Sequence, residues 1–121
     1  QPNKNIYKSF EKLITSLNLE NWIYLYIFFE LNLIKELGYD TNLGQNNFKN
    51  MNINEFNKIK IDSYIYEVPN FLILKKIPDK FSNIIIKRSL NFTRYVMQNK
   101  FFIPNNIPFP KSRIILENYF N

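Results

Sequence analysis

The chain contains no cysteine and no histidine, no alanine, and only two glycines among its 121 residues. Without cysteine there is no disulfide frame, and without cysteine or histidine the usual zinc ligand sets are excluded. Any metal would have to sit on carboxylates, and neither a metal nor a cofactor is expected. Nucleophilic catalysis would need Ser, Thr or Lys with an unusual base. No GxSxG elbow, glycine-rich phosphate loop or paired-carboxylate motif occurs, so the chain reads as non-enzymatic, with no catalytic residue. Long apolar runs are lacking too: residues 22–29 are apolar, but Glu30 interrupts them well short of the roughly 20 residues a bilayer span requires. That run is a core helix rather than an anchor, and no membrane partner is expected. The opening residues QPNKN show neither an initiator methionine nor a signal-peptide pattern, which suggests a chain that begins inside a longer protein.

What the chain does have is length for one core and an excess of positive charge, formally +6 with a sequence pI near 9.5. Asn, Ile and Lys are used heavily, a bias that an AT-rich genome explains better than function does, so lysine content by itself says little about nucleic acid. The strongest local signal is WIYLYIFFELNLIKELGYDTNL, residues 22–43. Ile23, Ile27, Glu30, Leu31, Ile34 and Leu37 share one face at helical spacing, while Trp22, Leu25, Tyr26, Phe29 and Leu33 cover the flank. Asn18 or Asn21 can cap the start, and Gly38 stands where a left-handed residue ends a helix.

Before it, Ile6, Phe10, Leu13, Ile14 and Leu17 recur at three and four, predicting an amphipathic helix over 5–17 that forms an αα-hairpin with the next. After it, residues 39–57 are polar and asparagine-rich, with isolated Phe48, Met51, Ile53 and Phe56 as anchors. KIKIDSYIYEVP alternates around Asp62 and Ser63 and predicts a short strand pair closed by Pro69. Asn70 to Leu74 reads as a single helical turn. A third main helix follows, capped by Asp79 or Ser82 and reaching about Gln98, with Ile85, Ile86, Ser89, Leu90, Phe92, Thr93, Val96 and Met97 inward and Lys87, Arg88, Asn91, Arg94, Tyr95 and Gln98 opposite. FFIPNNIPFP is a proline-punctuated linker, and 111–120 a last short helix with Ile114, Ile115 and Tyr119 inward. The expected fold is one mainly α domain over 1–121 of about four helices, with a minor irregular or β insertion at 39–69.

Three segments, in this order, resemble the C-terminal helical domain of RecO, a bacterial DNA repair and recombination mediator. FFELNLIKELGYDTNL, 28–43, is similar to that family's FEL-x-LL-x-xLGY/F signature; SLNFTRYVMQNKF, 89–101, to its penultimate helix; and IPFPKSRIILENYF, 107–120, to its closing proline-x-serine-arginine segment. PNFLI, 69–73, is similar to a short element between them. Two features depart from the family: the cysteine-bearing zinc module after the second helix is missing, and nothing reads as its N-terminal OB-fold. The resemblance implies binding and annealing of single-stranded DNA and loading of the strand-exchange protein RecA onto DNA coated by single-strand binding protein. It also implies RecR as a partner and a bacterial cytoplasmic, nucleoid-associated location.

Glu30 lies among aromatic and branched residues, where an unpaired carboxylate is costly, so it either reaches a basic partner, reaches backbone donors, or is neutral; Arg113 or Arg94 is the candidate partner, in a structural ion pair. Lys87, Arg88, Arg94 and Lys100, with Lys75, Lys76, Lys80 and Lys111 around them, form a candidate phosphate-binding surface, and Tyr95 a candidate base-stacking side chain. The same surface suits the acidic, apolar tail of single-strand binding protein, with Phe92, Tyr95, Phe101, Phe102 and Phe109 as its pocket. The rival reading is a docking module that supports an N-terminal OB-fold or RecR without touching DNA.

Overall fold

The structure, a computed structural model, describes residues 22–45 and 51–121. The helix expected over 5–17, its hairpin pairing, the Asn18 or Asn21 cap and the Phe48 anchor lie outside these residues. Within them the domain is mainly α, with four α-helices and one two-stranded antiparallel sheet.

Helix α1 (Trp22–Glu36) is the centre of the core: Ile23, Tyr24, Ile27, Glu30 and Ile34 are buried, and of its residues Lys35 alone is exposed. Its end follows from Gly38, which takes φ +96°. The Gly38 amide then reaches the Lys35 carbonyl (2.9 Å) and the Tyr39 amide the Ile34 carbonyl (3.1 Å), so two carbonyls left over at the helix end are satisfied. A Cβ at Gly38 would meet nothing within 4 Å, so the cost of Gly38→Ala is conformational only. It is expected to be about 1–2 kcal/mol, read from chemical denaturation.

After a 3₁₀ turn at Leu43–Gln45, strands β1 (Phe56–Ile61) and β2 (Tyr64–Pro69) pair with Ile61 opposite Tyr64. The two-residue connection works because Asp62 accepts φ +56°, a left-handed conformation that Asp tolerates better than most residues. Ile59, Ile61, Tyr66 and Val68 turn inward to the core, so the insertion is part of the fold. Loop residues before β1 are tied down by polar contacts: buried Asn70 donates to the Asn52 carbonyl and accepts from Asn57 (both 2.6 Å), and its amide reaches the Glu55 carbonyl (2.9 Å).

Helix α2 (Asn70–Leu74) is a single turn with Phe71, Leu72 and Ile73 buried, ended by Lys75 at φ +58°. Helix α3 (Asn83–Met97) starts at Ser82, whose hydroxyl accepts the Ile85 amide, and all eight residues expected inward are buried. The chain does not break into a linker at Phe101. It continues as a π turn (Gln98–Phe102), with the Ile103 amide bonded to the Gln98 carbonyl, before the proline-rich stretch leads to helix α4 (Lys111–Tyr119).

On α4 the expected face is reversed. Ile114, Ile115 and Tyr119 are 40%, 70% and 78% exposed, whereas Arg113, Glu117 and the following Phe120 are buried. The helix is oriented by charge: Glu30 needs a cation inside the domain, and a helix that brings Arg113 inward must turn Ile114 and Ile115 out. Among the described residues no helix is long and apolar enough to cross a membrane.

Candidate functional site

The buried acid of α1 organises the domain. Glu30 is 3% exposed, and each of its oxygens accepts two hydrogen bonds. Oε1 takes one from Arg113 Nη2 (2.9 Å) and one from the Thr93 hydroxyl (2.7 Å); Oε2 takes one from Arg113 Nε (2.5 Å) and one from the Tyr26 hydroxyl (2.9 Å). Arg113 also donates to the Leu90 carbonyl (3.0 Å) and to Thr93 Oγ1 (3.1 Å). One helical turn along α4, Glu117 receives Arg113 Nη1 (3.4 Å) and Arg94 Nε (2.9 Å), and its carbonyl receives Lys87 (3.3 Å). No buried side-chain nitrogen or oxygen among the described residues is left without a partner. That completeness is what makes a buried ion pair tolerable.

Burial alone would lower the Arg113 pKa, but hydrogen bonds to Glu30 and that group's charge outweigh it, so the guanidinium is held more firmly protonated than usual. Tyr26 moves upward as well, through burial first and then the neighbouring Glu30 charge. A raised phenol pKa means that stability present below the ordinary tyrosine value is lost as pH rises through the folded value. Above the ordinary tyrosine value, near pH 10, stability is therefore expected to fall less steeply in Tyr26→Phe than in the wild type, measured as denaturation midpoints from about pH 9 to about pH 12. With all four of its acceptor positions filled, Glu30 has no lone pair directed at a substrate.

No protein-family model, curated protein or solved structure matches this chain.

The expected binding residues fall into two groups. Four of the five cations are already paired: Lys87 with Glu117 (3.9 Å), Arg88 with Glu67 (2.7 Å), Arg94 with Glu117 (2.9 Å), and Lys100 with Asp62. Lys111 has no carboxylate partner among the described residues and is exposed. Helical periodicity shows which face carries these cations but not what lies opposite. The partners Glu67 and Asp62 arrive on the hairpin, and Glu117 from a helix 23 residues beyond Arg94. Arg88 and Glu67 are nearly half exposed, and such a pair contributes about 0–1 kcal/mol.

Tyr95 is exposed, but the Arg94 guanidinium lies 4.6 Å from its ring centre and covers one face. Arg88 in turn lies over Phe56 at 4.7 Å. The proposed aromatic pocket is dispersed. Phe92 is a core residue, 1% exposed and edge-on to Tyr66 at 5.7 Å, so it receives no partner side chain. Phe101, Phe102 and Phe109 stack successively edge-to-face at 5.1 Å and are partly buried. Tyr24, absent from the expected face of α1, proves central: its hydroxyl accepts the Ser82 amide and donates to the Lys80 carbonyl, joining α1 to the start of α3.

Among the described residues no group of three or more acidic side chains could hold a metal ion. A depression of about 200 Å³ lies between the loop after α1 and the hairpin turn, but its Lys100 and Asp62 neutralise each other.

Proposed function

We propose that this chain is the C-terminal helical domain of a RecO-like recombination mediator, non-catalytic, acting in the bacterial cytoplasm at the nucleoid. In this reading it assists single-strand annealing and RecA loading through contacts with single-stranded DNA, the tail of single-strand binding protein, and RecR. One observation supports it above the others: the three segments that carry the resemblance meet in one buried network. Glu30 comes from 28–43, Thr93 and Arg94 from 89–101, and Arg113 and Glu117 from 107–120, although Glu30 and Arg113 are 83 residues apart. Phe71, from the fourth similar segment, packs against Tyr24 and Phe28 of the same helix. A shared packing solution is a reason for the order and spacing of otherwise degenerate motifs.

The docking reading draws on a different observation, the internal pairing of Lys87, Arg88, Arg94 and Lys100. Salt titration separates the two. Phosphate contacts by Arg88, Lys111 and one further lysine would give a slope of log affinity against log salt of about −2 on a labelled single-stranded oligonucleotide. Arg88→Glu with Lys111→Glu is expected to flatten that slope without changing the fold. A folded chain that fails to bind at low salt would leave only the docking role.

A further inference from the structure

The outer face of α4 is apolar and exposed. Ile114, Ile115 and Tyr119 are exposed there, and Phe120 links Tyr119 (ring centres 5.1 Å apart) to Phe81 (6.5 Å), which is itself 55% exposed. Ile84, 63% exposed, adds to it from the first turn of α3, since Lys87, one turn further on, reaches the Asn118 side chain. Exposed apolar side chains are common singly; five gathered at the junction of two helices are not. Among the described residues nothing requires them to be apolar, because α4 is anchored by Arg113, Glu117 and Phe120 on its other side.

The charge around this face indicates what would cover it. Lys111 lies one turn before Ile115 and Lys80 next to Phe81, both exposed and without carboxylate partners among the described residues, whereas the cations of α3 are paired. The first turn of α4 has no acidic residue and no side-chain cap, so the positive end of the helix adds to Lys111. A second copy of this chain would bring another net +6 against the same charge. We infer that the outer face of α4, with Phe81 and Ile84, docks an acidic amphipathic helix of another protein. Its apolar stripe packs along the ridge of Ile115 and Tyr119, and its carboxylates meet Lys111 and Lys80. The surface shares Lys111 with the phosphate contacts of the mediator reading, but its apolar ridge takes no part in them and the inference does not depend on that reading.

The test uses the whole chain and a fluorescein-labelled synthetic helix of leucine and glutamate, with leucine at helical spacing. The controls are a scrambled peptide of the same composition and a lysine-for-glutamate version. Anisotropy should show saturable binding of the patterned acidic peptide alone, with methyl NMR shifts at Ile84, Ile114 and Ile115. Ile115→Ser with Tyr119→Ser, and separately Lys111→Glu, should each weaken binding about tenfold, with thermal midpoints unchanged because these side chains are already in water. Absence of binding, equal binding by the variants, or equal binding of the lysine peptide would overturn the inference. So would a wild-type dimer in sedimentation that the Ile115 and Tyr119 substitutions dissociate, which would assign the face to a second copy.

Discussion

Replacing Arg113 by alanine is expected to destabilise the domain by about 3–5 kcal/mol, the cost of leaving a buried carboxylate without its cation. Glu30 would keep Tyr26 and Thr93 as donors but lose both guanidinium bonds, and the Leu90 carbonyl would lose a partner as well. Removing the acid instead, Glu30→Gln, should cost less, because Arg113 retains Glu117, Leu90 and Thr93. The comparison with the double change Glu30→Met and Arg113→Met decides whether the pair itself stabilises. If the single loss comes mainly from an orphaned charge, two apolar side chains of similar length should recover most of it. Urea unfolding followed through Trp22, the single tryptophan, at the start of α1, gives all three values. A loss below about 1 kcal/mol in Arg113→Ala would mean that Glu30 is solvated by water after all.

That pair also explains why part of this fold was legible in the sequence and part was not. The inward face of α3 follows from periodicity, because eight residues at helical spacing and a serine cap are local information. The hairpin is equally local, with alternation on each strand and a tolerant Asp62 at the turn. Helix α4 fails by the same rule, since its most apolar side chains, Ile114 and Ile115, face water. Hydrophobicity predicts the inside of a helix only when no buried charge elsewhere competes for it. Both halves of the answer were nonetheless present: a lone acid in an apolar helix, and Arg113 as a candidate partner. Placing Arg113 inward carries Glu117, four residues on, and Phe120, seven on, to the same side. The binding surface was less legible for a different reason. Cations were visible on α3 and in the turn after it, but Glu67 and Asp62, which pair with Arg88 and Lys100, come close only when the hairpin packs against that part of the chain.

The second large effect is expected at Phe71, in the one-turn helix α2. Phe71→Ala should cost about 3–5 kcal/mol, the range for removing a fully enclosed aromatic from a core that only partly collapses into the space. Phe71 has no exposed surface and meets Tyr24 edge-on at 5.3 Å and Phe28 at 5.6 Å, so one side chain joins α2 to two positions on α1. Tyr24 in turn holds the Ser82 amide and the Lys80 carbonyl, the approach to α3. A cavity at Phe71 therefore loosens the ring that positions the α3 start, as well as removing its own contacts. Phe81→Ala is the matched control: it deletes the same side chain from a second ring contact of Tyr24, 6.4 Å away, where it is more than half exposed, and should cost below about 1 kcal/mol. Equal losses at the two positions would show that Tyr24, rather than burial of Phe71, carries the coupling between α1 and α3.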